Sequence, residues 1–135
     1  MIFLTVSVLA LSFPGCGKKE NTSDRTLRVG IVTYTQDDPF INTMTEQIRE
    51  DLKLKESKDM KILVSVKNGD NDQRDQDELV EEMIAAGCDV LCVNLVDRTA
   101  PSDIIKAARQ EKIPVIFFNR EPVKEDLMQW DQLYY

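Results

Sequence analysis

The stretch Arg28-Val29-Gly30-Ile31-Val32-Thr33-Tyr34-Thr35-Gln36-Asp37-Asp38-Pro39-Phe40 decides the fold. Its first half alternates apolar and β-branched residues and reads as a buried strand from Leu27 to Thr33. Its second half is a polar turn closing on Asp38-Pro39. An Asp side chain accepts from the free N–H groups of a helix start, and Pro at the first helical position loses no hydrogen bond, so the pair announces a helix. Asp38 and Phe40 therefore sit where the C-terminal end of a strand meets a helix N-terminus. In open α/β sheets that edge is where ligands bind.

Working outward, Ile41, Met44, Ile48 and Leu52 recur at helical spacing, which predicts a helix from Pro39 to about Leu54. Met60 to Lys67 reads as a second strand, followed by turn chemistry at Asn68-Gly69-Asp70. Gln76, Leu79, Val80, Met83 and Ile84 mark one face of a helix from Asp72 to Ala86, with Gly87 as its C-terminal cap. Asp89 to Leu95 is a third strand, too apolar for a wet face. Pro101 to Lys112 is a third helix with Ile104, Ile105 and Ala108 inward, and Ile113 to Phe118 is a fourth strand. Asn119-Arg120-Glu121-Pro122 breaks that strand, a short helix from Lys124 to about Gln129 follows, and a fifth strand begins at Tyr134. Alternating strands and helices with near-continuous apolar strands predict an α/β fold, a doubly wound parallel sheet in the flavodoxin-like order 2-1-3-4-5.

At 135 residues and 42% hydrophobic content the chain has the makings of one domain. A net charge of −7 argues against nucleic acid, since neutralising phosphates needs a basic face. The chain has no His, which removes the commonest general base and metal ligand at neutral pH.

Met1 to Phe13 is an uncharged apolar run. It is shorter than the ~20 residues of a membrane span and matches the roughly 7–15 residues of a secretory h-region. Phe13-Pro14-Gly15-Cys16 resembles a bacterial lipoprotein cleavage box, with Cys16 as the lipidated residue, although Phe13 and Pro14 are poor matches and no Lys or Arg precedes the run. A buried N-terminal strand is the competing reading. The division expected is a lipoprotein-type signal peptide over 1–15, a charged tether over 16–26 and a packed region over 27–135. The ending Leu133-Tyr134-Tyr135, apolar and without a polar tail, reads as a chain cut within a strand.

Among candidate sites, neither G-x-G-x-x-G nor G-x-x-x-x-G-K-[ST] occurs. Asp70 to Asp75 glances at a calcium loop but has Asp75 where Gly is needed, and reads better as an acidic helix start. Cys88 and Cys92, if both are near the extended third strand, would stand ~13 Å apart, beyond disulfide reach. Asp38 is open to two readings, helix cap and ligand group, and Phe40 to core and site. Asn94 is more telling because it interrupts the apolar third strand near its end. The first and third strands flank the switch point, so Asp38, Phe40 and Asn94 would converge there. One carboxylate, one amide and one aromatic face suit a neutral polyol, and nothing supplies a nucleophile–base pair.

RVGIVTYTQDDPF, KNGDNDQRDQ, CVNLVDRTAP and IPVIFFNREP, in this order and spacing, resemble the N-terminal lobe of the bacterial periplasmic D-galactose/D-glucose-binding protein family, from about Leu27 to Tyr135. The Asp-Asp-x-Phe signature favours the galactose type over ribose-type relatives, which have an Asn-rich turn there. The resemblance implies that Asp38 holds sugar hydroxyls, Phe40 stacks on the ring and Asn94 hydrogen-bonds the sugar. It implies a periplasmic-binding-protein-like lobe, here truncated, whose second lobe, hinge and calcium site lie outside this sequence and which is completed by chain returning from beyond the hinge. It further implies a monomeric, non-enzymatic, extracytoplasmic solute-binding lipoprotein of an ABC sugar importer, anchored at Cys16, with no cofactor in this portion. Its partners would be D-galactose or D-glucose, a membrane permease and a chemoreceptor. The sugar-sensing domain of a transcription regulator shares the fold, but an apolar run stands where a basic helix-turn-helix would be. A tethered sensor domain of a signalling receptor is the third reading.

Overall fold

Strands this apolar need cover on both sides, and the chain supplies it by crossing from strand to strand through helices. The computed structural model describes residues 25–135, so the apolar run, Cys16 and the tether up to residue 24 lie outside the described residues. The elements are β1 (Arg25–Thr33), α1 (Pro39–Lys53), β2 (Met60–Asn68), α2 (Gln73–Ala85), β3 (Val90–Val93), α3 (Ser102–Glu111), β4 (Val115–Phe117), α4 (Lys124–Leu127) and β5 (Leu133–Tyr134). The sheet runs β2-β1-β3-β4-β5 with every pairing parallel. This is the expected doubly wound order.

The period of two along each strand separates two packing layers. Val32, Leu91, Val93, Val115 and Phe117 pack with Val80 and Met83 of α2 and Ile104, Ile105 and Ala108 of α3. Val29, Ile31, Ile62 and Cys92 pack with Ile48 and Leu52 of α1 on the opposite face. Past Cys92, the register places Ile116 and Tyr134 on that second face, and they are 40% and 51% exposed.

Several boundaries differ from the sequence expectation. β1 begins at Arg25, because Arg25 and Thr26 pair with Met60 and Lys61, so two residues assigned to the tether belong to the sheet. β3 stops at Val93 and β4 spans only Val115–Phe117, because the ladder between them runs from Leu91 to Val93. Pro114, with no N–H to donate, precedes β4. β5 begins one residue early, at Leu133, and α4 ends at Leu127. Gly87 closes α2 with φ +81, a left-handed backbone that favours glycine. The 70–75 run is a turn and helix start: Asp70 and Asn71 have positive φ, and the Asp72 carboxylate accepts from the N–H groups of Arg74 and Asp75. Among the described residues no group of three or more His, Cys, Asp or Glu is placed to hold a metal ion.

Cys88 and Cys92 are buried free thiols. Cys88 lies before β3 rather than within it. Burial pushes the Cys92 thiol up to about 11, and raises that of Cys88, with Asp89 adding to the latter.

Candidate functional site

β1 delivers its chain to the C-terminal edge of the sheet, and the turn from Tyr34 to Asp38 carries it into α1. Asp38 is the N-cap of α1: one carboxylate oxygen, Oδ1, accepts from the N–H of Phe40 at 2.8 Å and of Ile41 at 3.4 Å. The other, Oδ2, accepts from the Tyr34 hydroxyl at 2.7 Å. A carboxylate has about four lone-pair sites, and these contacts occupy three of them. One acceptor direction is therefore open to a ligand hydroxyl. The Tyr34 hydroxyl, more than any other group, holds the Asp38 carboxyl below the usual carboxylate range, with the Phe40 and Ile41 amides and the Arg120 guanidinium adding to it against a desolvation cost. The same bond pushes the Tyr34 phenol up.

Phe40 is not core. Its side chain leaves the first turn of α1 with 59% of the residue exposed, beside the Asp38 carboxylate. A ring facing water at this edge of the sheet presents an apolar face beside a carboxylate.

Asn94 lies just past the end of β3 and is 0% exposed. Its Nδ2 donates to Phe118 O and to Asn119 Oδ1, both at 3.2 Å, which fixes which end of the amide is which. Its Oδ1 is buried without a partner. Asn94 thus keeps its amide oxygen as a buried acceptor, while its donors hold the end of β4 against the end of β3.

The sequence reading did not single out Tyr34, Arg120 or Asn119, and took Gln76 for a helix-face residue alone. Arg120 follows β4, and its guanidinium lies over the Tyr34 ring, 3.7 Å from the centroid. Its Nη1 donates to Leu95 O at 3.1 Å and Val96 O at 2.8 Å. With β3 between β1 and β4, this side chain crosses the end of the middle strand to reach the turn after β1. Gln76, 0% exposed on α2, donates to Asn94 O at 3.0 Å and accepts from Val96 N at 2.9 Å, so it pins the exit of β3 from below.

The turn after β2 completes the frame. Gly69 N donates to Thr33 O at 2.8 Å and Asn71 N to Tyr34 O at 2.7 Å. A Cβ at Gly69 would stand 3.1 Å from both Thr33 O and Gln76 Cβ, so the close approach depends on glycine. Asp38 is joined through Tyr34 and Arg120 to the chain that follows Asn94. Phe40 adjoins Asp38 from the outside. The outcome is a polar shelf with fixed acceptors and one exposed ring. The cleft along α1 lined by Glu46, Arg49, Glu50, Lys53 and Ile62 is elsewhere and includes none of these groups.

Residues 29–135 match the family model described as a periplasmic binding protein domain. The D-galactose/methyl-galactoside binding periplasmic protein MglB of Haemophilus influenzae is 32% identical over 108 residues, covering 80% of this chain and 31% of that protein. The chain therefore spans under a third of the length of this curated relative. Among solved structures, a galactofuranose binding protein superposes with a TM-score of 0.68 at 20% identity, over 79% of this chain and 34% of that one. A carbohydrate transporter solute binding protein from Chloroflexus aurantiacus, in complex with D-glucose, gives 0.60 at 29% identity, over 72% of this chain and 27% of that one. With the family model matched from β1 to the last residue described, this chain belongs to the periplasmic binding protein family.

Proposed function

We propose that this chain is the N-terminal lobe of an extracytoplasmic solute-binding protein of an ABC sugar importer, and that the sugar is D-galactose or D-glucose, held between this lobe and a second one. The observation that carries the reading is the pairing of the Asp38 carboxylate, one acceptor direction unspent, with the exposed Phe40 ring at the C-terminal edge of the sheet. Hydroxyl groups donate to carboxylates, and the C–H face of a pyranose covers an aromatic ring. The similar proteins that bind galactose, methyl-galactoside and glucose support the same ligand class. On this reading the sugar passes to a membrane permease, a chemoreceptor is a second partner, and lipid on Cys16 anchors the protein. A calcium site belongs to the other lobe.

Calorimetric titration of the full-length protein with D-galactose, D-glucose, D-ribose, L-arabinose and D-fructose tests it. The two aldohexoses should bind at least about tenfold more tightly than the others, which corresponds to about 1.4 kcal/mol. Tighter binding of ribose or fructose, or no binding of any sugar, overturns the assignment.

A further inference from the structure

Tyr34 has both of its interactive surfaces committed inside the protein. Its hydroxyl donates to Asp38 Oδ2 at 2.7 Å, and its ring is covered by the Arg120 guanidinium at 3.7 Å. Its backbone is fixed as well, since Tyr34 O accepts from Asn71 N at 2.7 Å. A phenol in this situation has little left to offer a ligand. What it does is decide where the second oxygen of Asp38 points. The amides of Phe40 and Ile41 hold Oδ1 alone and make no contact with Oδ2. The Tyr34 bond holds Oδ2 as well, so both oxygens are fixed and one acceptor direction stays unspent.

From this geometry we infer that Tyr34, steadied by Arg120, is a positioning residue that orients the Asp38 carboxylate, so that it takes one ligand hydroxyl in one direction. The inference rests on the sugar-binding reading and deepens it by naming what gives Asp38 its directionality. The charged and titratable groups facing Asp38 are Tyr34 from its own turn and Arg120 from the end of β4, with Asp37 next along the chain. Asp38 is held low chiefly by Tyr34, so an ionised Asp38 should persist as pH falls below the ordinary Asp value. Losing the phenol hydroxyl moves protonation of Asp38 to higher pH and removes that protection.

The test uses the full-length protein in a double-mutant cycle of Tyr34→Phe with Asp38→Asn, read as D-galactose and D-glucose affinity by calorimetry below the melting transitions of all variants. Tyr34→Phe alone should weaken binding about threefold to tenfold, the size of one hydrogen bond. In the Asp38→Asn background the same change should have almost no further effect. A carbon NMR titration of the Asp38 carboxyl, which needs no ligand, should show its midpoint moved to higher pH in Tyr34→Phe. The acid limb of sugar affinity should move the same way. Losses that simply add across the cycle, or an Asp38 midpoint that stays in place, overturn the inference while leaving the proposed function intact. A wild-type protein that binds no sugar overturns the proposed function and this inference with it.

Discussion

Asp38 uses one carboxylate for two purposes, capping α1 through Oδ1 and presenting an acceptor at the sheet edge. The purposes can be separated because Ser caps a helix about as well as Asp but cannot carry charge or span the same distance. Asp38→Ser in the full-length protein should keep its melting temperature and lose at least about tenfold in sugar affinity. Near-wild-type affinity would return Asp38 to capping alone. The sequence left the two readings open because an Asp before Pro announces a cap whatever else it does, and the proposed second use rests on Tyr34, four residues upstream but across the turn. Phe40 was likewise open to core and site, and the packing around the first turn of α1, which the sequence does not show, leaves its ring outside. The thiols make a second case at this scale. A thiol raised by burial stays protonated when the unfolded thiol ionises, so its contribution is complete below the ordinary value of 9.0 and fades as pH rises toward about 11. Stability should therefore fall across that interval more steeply than in a Cys88→Ala, Cys92→Ala variant, as seen in melting temperatures from pH 8 to 11. Equal slopes would contradict the buried placement.

Among the elements, α2 carries more than its apolar face suggests. Val80 and Met83 pack on the sheet, but Gln76 is as buried as they are and spends both ends of its amide on the backbone leaving β3. Gln76→Leu would keep the bulk and strip two backbone groups of their partner, at about 2–3 kcal/mol in total given that Val96 is only half-buried. Urea unfolding should show that loss, and a variant as stable as wild type would mean the backbone finds other partners. Apolar patterning marked the first four strands and the three long helices, because it reports which face is buried. It could not report that Gln76 is a brace, nor that Arg120 reaches the ring of Tyr34. The Arg120 contact joins residues far apart in the chain, and the turn Asn119-Arg120-Glu121-Pro122 shows locally only that a strand ends. Strand ends were misplaced for a similar reason. Where β3 and β4 stop depends on how far their shared ladder runs, and that is a property of the pair.

For the molecule as a whole, the two faces of the sheet are unequally served. α2 and α3 cover one face except at Leu63 near the β2 edge, whereas on the other α1 packs over Val29, Ile31 and Ile62, and among the described residues Val66, Ile116 and Tyr134 remain open. An excised 25–135 fragment should bind a hydrophobic dye there, and Ile116→Lys should reduce the dye signal without lowering the melting temperature. Unchanged dye binding would place the apolar surface elsewhere. The sequence anticipated the layer order but not this asymmetry, because Ile116 and Tyr134 are as apolar as covered residues. The cap at position 38 also bears on how such a lobe can change its ligand over generations. Asp, Asn, Ser and Thr, with Gly close behind, are the residues that close a helix start well, so drift at this position favours a short alphabet of mostly oxygen-bearing side chains. A new ligand preference has to be written mainly around it, at the ring of residue 40 and on the turn at 119–120, while the polar anchor at 38 is carried along by the fold.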